Sequence, residues 1–305
     1  MWAFTDDTGR DLQTERRPER VIAYARAGAA LHDLGIRPVA VYGSGHDGDV
    51  VDPAKAGTLP EAGVTYLGPG AALGEDALRS LRPDLIVDVT YDGKSVYAVD
   101  GALAQRLGVP VAALAVAGAP LTAILRRFAD LAATLRPSTP GPSGGSGPSD
   151  GPDGHPGDPG DDGARAVAAA ERAVRAAVDG PGPLRVLALS AAGPDQVHLA
   201  RPEAWPELRH LAELGVGLVD PGPGGASWVT TDWAAAARLR PDLILLDGRA
   251  NAVPRDVLET YPRWRSLAPD AGVEPWSPET PPSATAHGRF FRDVAAALEH
   301  LRAKR

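Results

Sequence analysis

The feature that most constrains this chain is a repetition in its own sequence. Three segments recur in the same order on either side of a Pro- and Gly-rich stretch. Arg20-Val-Ile-Ala-Tyr-Ala-Arg-Ala-Gly28 is answered by Arg185-Val-Leu-Ala-Leu-Ser-Ala-Ala-Gly193. Asp33-Leu-Gly-Ile36, with an apolar stretch to Gly43, corresponds to Glu213-Leu-Gly-Val216 running to Gly222. The hexapeptide Leu-Arg-Pro-Asp-Leu-Ile stands identically at 81–86 and 239–244. The offsets of 165, 180 and 158 residues differ by loop lengths, which suits two lobes of one design and not a tight solenoid.

Within each lobe, short continuous apolar runs (Val21 to Ala23, Val39 to Val41, Leu85 to Val89; Val186 to Leu189, Leu243 to Leu246) alternate with alanine-rich stretches at helical spacing. Such runs suit strands buried on both faces, so the expected class is α/β: two doubly wound parallel-sheet lobes. In the hexapeptide the proline stops a helix, the aspartate favours a turn, and Leu-Ile enters a strand. Asp84 and Asp242 therefore read as structural. Residues 137–163 contain 16 Pro or Gly among 27 and carry only aspartate charges, too little apolar surface to offset ordering entropy. They read as a flexible insertion, and His155 within them receives no role. The next stretch, 164–178, is a strong helix former without Gly or Pro and long enough to bridge two lobes. The expected organisation is a lobe at 1–136, the insertion at 137–163, a bridging helix at 164–178 and a second lobe at 179–305.

Composition excludes several chemistries. With 39 acidic against 31 basic residues the net charge is -8, unfavourable for nucleic acid or anionic membranes. There is no cysteine, hence no disulfide, thiolate metal site or cysteine nucleophile. Only Lys55, Lys94 and Lys304 are lysines, so a lone arginine carries little information here. The long uncharged stretch Gly108 to Leu125 is broken by Gly and Pro and is no membrane span. No G-x-S-x-G, Walker loop or G-x-G-x-x-G followed by a helix is present, so no catalytic residue is assigned.

The order of segments resembles the helix-linked class of ABC-transporter substrate-binding proteins, the group that carries ferric siderophores, haem and cobalamin. The resemblance covers nearly the whole chain. FTDDTGRDLQTERRPERVIAY is similar to the opening hairpin of that class, and Leu31 to Gly43 to its Leu-Gly turn between first helix and second strand. Glu75 to Ile86, repeated at Asp232 to Leu246, is similar to its helix-to-strand block. Tyr261-Pro-Arg-Trp-Arg-Ser-Leu267 resembles a late segment that precedes a terminal helix, here 286–301. The resemblance implies a monomer that carries a small metal chelate to an ABC permease outside the cytoplasm, close to a membrane. It holds no resident cofactor, and Glu75 and Asp232 are implied as permease contacts. The written N-terminus, Met1-Trp-Ala-Phe-Thr-Asp-Asp7, shows no export signal and no lipid-anchoring cysteine, so a cytoplasmic location is the alternative expectation.

Ligands in doubly wound sheets sit outside the carboxyl ends of strands, which selects a few loops. Aromatics make up only 5% of the chain, yet several lie in or near those loops, where they offer contact area, while hydroxyls and guanidinium groups orient oxygens. The candidate ligand-binding residues are Tyr24, Arg26, Ser44, His46, Tyr91, Lys94, Trp228 and Arg249. Tyr42 and Trp233 read as core, and His32, His210 and His300 as exposed on helices. A bare zinc or manganese carrier using His46, Asp47, Asp92 and His198 is one alternative. A cytosolic relative repurposed as an enzyme is another. No metal site is assigned.

Overall fold

The computed structural model describes residues 1–137, 159–267 and 271–305. An antiparallel hairpin, β1 (Trp2–Thr5) and β2 (Asp11–Thr14), opens the chain. Its turn is held by Asp6, whose carboxylate accepts from the backbone N–H of Thr8 and Arg10 and from Ala113 N in the first lobe's sheet. That sheet is fully parallel, in the order β5 (Thr65–Pro69), β4 (Ala40–Gly43), β3 (Val21–Tyr24), β6 (Leu85–Thr90), β7 (Val111–Ala115). Helices α1 (Ala25–Asp33), α2 (Pro53–Ala56), α3 (Glu75–Leu81) and α4 (Gly101–Leu107) lie in the crossovers, and α5 (Leu121–Leu135) follows the last strand. β3, β4 and β6 are buried at every position, as their unbroken apolar runs require.

After α6 (Pro159–Val178), the second sheet has the order β10 (Trp228–Thr231), β9 (Val197–Ala200), β8 (Val186–Ala191), β11 (Leu243–Asp247), β12 (Gly272–Trp276). β8, β11 and β12 are parallel, but β9 and β10 run antiparallel, so this sheet is mixed and not uniformly parallel as expected. The second repeat segment survives only as an isolated parallel bridge between Val186 and Leu218. Farther along β8 its edge is taken by the β8–β9 hairpin, pairing Leu189 with Leu199 and Ala191 with Val197. Helices α7 (Pro206–Glu213), α8 (Trp233–Arg238), α9 (Arg255–Leu258), α10 (Pro262–Leu267) and α11 (Ala284–Ala303) complete the lobe.

The repeated hexapeptide folds identically in both lobes. Asp84 accepts from Arg20 N at 2.8 Å and Asp242 from Arg185 N at 2.7 Å. Arg20 Nε and Arg185 Nε each donate at 2.9 Å to the carbonyl of the leucine that opens the motif, Leu81 and Leu239. Arg82 (φ 46°) and Arg240 (φ 43°) are the only non-glycine residues at positive φ among those described. Each turns the chain out of its helix in the left-handed conformation that ends many helices, just before the proline.

Helix α6 starts at Pro159, five residues before the expected 164. Proline suits the first helical position, where no N–H partner is needed, and Asp161 and Asp162 face the positive end of the helix dipole. The rest of the expected insertion, 138–158 with His155, lies outside the described residues. A second long helix, α11, runs beside α6 in the same direction. Gly163 lies against Ala284 and Thr285 near their starts, and Arg302 donates to Ala177 O and Val178 O near their ends. A Cβ on Gly288 would fall 3.1 Å from Val167 N, a tight contact that glycine avoids in so close a pairing. The expected bridging helix is thus packed along its length against a second long helix, α11.

Candidate functional site

The parallel strands of both sheets end at one interface, and the segment Ser277 to Ser283, leaving β12 for α11, crosses it. Glu279 on this segment is the hub. Its Oε1 accepts from Tyr24 Oη at 2.9 Å and Tyr91 Oη at 3.3 Å, and its Oε2 pairs with Lys55 Nζ at 3.0 Å and Arg249 Nη1 at 3.5 Å. The adjacent Thr280 carbonyl accepts from Arg26 Nε at 2.9 Å, and Arg26 Nη1 lies 3.4 Å from Tyr91 Oη. Lys55 also meets Asp47 at 2.6 Å, and Arg249 meets Asp247 at 2.8 Å. An alternating ladder, Asp47–Lys55–Glu279–Arg249–Asp247, therefore spans the two lobes. Asp52 adds a further tie, capping α2 at Ala54 N and accepting from Ala250 N of the other lobe.

Burial works against each of these charges, and the partners decide the outcome. Desolvation would raise the Glu279 pKa, but Lys55 and Arg26 hold it below the usual carboxylate range. Desolvation would lower Lys55, but Glu279 and Asp47 lift it. Arg249 is likewise lifted by Asp247 against its burial. Burial and the nearby Glu279 charge push the Tyr24 phenol up, and burial does the same to Tyr91, partly offset by Arg26. The phenols are donors held neutral.

Aromatic rings form a wall on each side. In the first lobe Tyr97 packs 5.7 Å from Tyr24 and 4.8 Å from Tyr91, and both Tyr91 and Tyr97 remain 38% exposed. In the second lobe Trp228 lies 5.1 Å from Trp205, 5.8 Å from Trp276 and 6.4 Å from His198. Trp276 Nε1 donates to the buried Glu207 at 3.0 Å, and burial raises that carboxyl to about 7 although the Arg26 charge opposes the rise. Arg26 thus acts on groups of both walls. Beside the ladder, a cavity of about 380 Å³ opens between Pro53 and the loop Asp247 to Arg255, lined also by Val273 and Pro275. That volume is within the range of small-molecule sites.

Of the eight sequence candidates, Tyr24, Arg26, Tyr91 and Arg249 meet around Glu279 and Thr280. Trp228 belongs to the tryptophan wall, with its ring half-buried against Trp205 and Trp276. Ser44 is enclosed, and its N–H and hydroxyl bind Asp47. His46 and Lys94 are exposed on loops, and Lys94 N joins a turn closed by Asp92. Lys55, Glu279, Trp205, Trp276 and Tyr97 complete the arrangement and were not sequence candidates. Tyr42 and Trp233 are core, as expected. His210 is not free on a helix surface as expected: it stacks on Phe291 and pairs with Glu171 at 2.8 Å. His32 is half-buried and bonds Thr58, whereas His300 is exposed. Glu75 pairs with Arg79 and Arg106, and Asp232 caps α8. Among the described residues no three His, Cys, Asp or Glu side chains could hold a metal ion, so the bare-metal alternative finds no ligand set there. Among them, too, no helix is long and apolar enough to cross a membrane.

Two lobes of doubly wound type, joined by long helices around one interface, define the architecture of helix-linked, two-lobed substrate-binding proteins, and the chain has that fold. DesE, a ferric-siderophore receptor protein from Streptomyces coelicolor, matches it at TM-score 0.80 with 25% identity over 98% of both chains. A siderophore periplasmic binding protein from the fuscachelin gene cluster of Thermobifida fusca matches at TM-score 0.63 and 14% identity, over 93% of this chain and 97% of its own. A periplasmic heme-binding protein from Pseudomonas aeruginosa matches at 0.61 and 14%, over 93% of each. No family model matches the sequence, and no curated protein does either.

Proposed function

We propose that the chain binds a ferric siderophore or similar metal chelate between its lobes and hands it, chemically unchanged, to an ABC permease outside the cytoplasm. The observation that carries this reading is the whole-chain likeness to a ferric-siderophore receptor protein, end to end in both chains. The site is consistent with it. Tyr91 and Tyr97 on one side and Trp228 with Trp205 on the other offer apolar contact area, and the guanidinium N–H groups of Arg26 and Arg249 left over from their contacts with Thr280 and Asp247 offer donors to chelate oxygens. Binding and release require no nucleophile or general base, and none is assigned. Working as a monomer, and close to a membrane, also belongs to this proposal.

The test is a titration of the protein with ferric hydroxamates, ferric catecholates, haem and cobalamin, following tryptophan fluorescence. The tryptophan wall leads to the expectation of a saturable signal with a ferric chelate. Silence across the panel with saturable zinc binding would overturn the proposal.

A further inference from the structure

We propose that Glu279 is the positioning residue of the cleft: its carboxylate fixes one lobe against the other by joining phenols of the N-terminal lobe to a guanidinium of the C-terminal lobe. The proposal rests on the reading of this interface as the cargo site and adds to it the element that holds the site in one geometry. Four candidate cargo contacts from two lobes, Tyr24, Arg26, Tyr91 and Arg249, bond to just two consecutive residues, Glu279 and Thr280. The segment that carries them is braced from within. Ser277 Oγ accepts from Glu279 N at 3.1 Å, and Thr280 Oγ1 donates to Ser277 O at 2.9 Å. At its far end Ser283 caps α11 and donates to Asp33 Oδ2 of α1 at 2.5 Å.

A carboxylate with only 7% of its side chain exposed is tolerated only when its partners are well placed. Here every charge in the ladder is flanked by its opposite, and Lys55, at 3% exposed, has no route to water in place of Glu279 and Asp47. Sliding either lobe would separate several of these pairs at once. The α6–α11 pair restrains the lobes along their length, whereas the ladder restrains them at the mouths of the strands, where the donors aim. Asp52, reaching Ala250 N at 3.1 Å, closes the same seam from one side.

The chain has no cysteine, so two can be introduced cleanly. Nitroxide labels at Ser80→Cys and Ser266→Cys, both exposed and one on each lobe, report the interlobe distance distribution by pulsed electron resonance without any cargo. Glu279→Gln removes the charge but keeps an acceptor for the phenols, and Arg249→Ala removes the C-terminal partner of Glu279 together with its contact to Asp247. The expected result is a narrow distribution in the parent and a broadened or shifted one in both variants, with an exposed surface control, Glu61→Gln, matching the parent. Distributions in Glu279→Gln and Arg249→Ala superimposable on the parent, even with a lowered melting temperature, would reduce Glu279 to local packing and overturn the proposal. Because no chelate is present, this outcome is independent of whether the cargo titration succeeds.

Discussion

The two lobes begin from the same sequence plan and diverge at the end of the sheet that faces the cleft. In the N-terminal lobe β3 has β4 beside it in parallel, and the cleft wall is made of Tyr24 at the end of β3 with Tyr91 and Tyr97 on the loop after β6. In the C-terminal lobe the equivalent neighbour shrinks to one bridge at Leu218, and the β8–β9 hairpin replaces it, with Trp228 on the next strand, β10. The lower ends of the sheets, where the hexapeptides sit, are alike to within 0.1 Å in their Arg–Asp contacts. The repeat thus builds the frame, and recognition is written at the opposite end, where the constraint of matching turns is absent.

Buried carboxylates sharpen this contrast. Asp88 in β6 accepts from Tyr42 Oη and from the backbone N–H of Val89, Ala98 and Val99, whereas its counterpart in the repeat is the apolar Leu246. Asp88→Ala orphans these donors and is expected to cost about 3–5 kcal/mol in denaturant unfolding. A loss below about 1 kcal/mol would mean the polar core of this lobe is dispensable.

A buried carboxylate of the C-terminal lobe behaves differently, because among the described residues Glu207 has Trp276 as its only side-chain hydrogen-bond partner. Burial raises Glu207 from 4.5 to about 7, so the folded state binds more protons than the unfolded one between those values. Its contribution is present in full below pH 4.5 and is lost as pH rises through 7. Glu207→Gln keeps an acceptor for Trp276 and removes the titration. The parent should lose on the order of 3 kcal/mol relative to the variant between pH 4.5 and 7. His287, which burial lowers to about 4, acts in the opposite direction as pH falls, but it is common to both proteins and drops out of the difference. Parallel stability curves would contradict the assignment.

The shared frame gives smaller and matched effects. Asp84→Ala and Asp242→Ala should each cost about 1–2 kcal/mol, since the first frees Glu19 N and Arg20 N and the second frees Arg185 N and the Arg305 guanidinium. Markedly unequal losses would break the equivalence of the two motifs. Arg82→Gly and Arg240→Gly should change stability by less than about 1 kcal/mol, because relief at positive φ is offset by the entropy of glycine.

Much of the frame was legible in the sequence, because turn chemistry and buried strands are local signals: the hexapeptide's role follows from Pro83 and Asp84 alone. The mixed second sheet was not, since Ser190 to His198 reads as a loop until the pairing of Ala191 with Val197 makes it a hairpin. Tyr24, Arg26, Tyr91 and Arg249 were found through their places at strand ends. Glu279 was missed because its partners lie up to 255 positions away, and Trp-Ser-Pro-Glu-Thr-Pro-Pro-Ser offers only turn residues. Lys55 did carry a signal: in a chain that uses arginine almost throughout, a lysine is an unusual choice.

The central claim is that unlike walls from both lobes grip one cargo, and the most direct measurement compares the affinity of Tyr91→Ala and Trp228→Ala for whichever ferric chelate the panel identifies. Each is expected to weaken binding by about 1–3 kcal/mol, the range of a packed aromatic anchor. Affinity unchanged in either variant would mean that one lobe alone holds the chelate, or that it binds elsewhere, and would contradict the account.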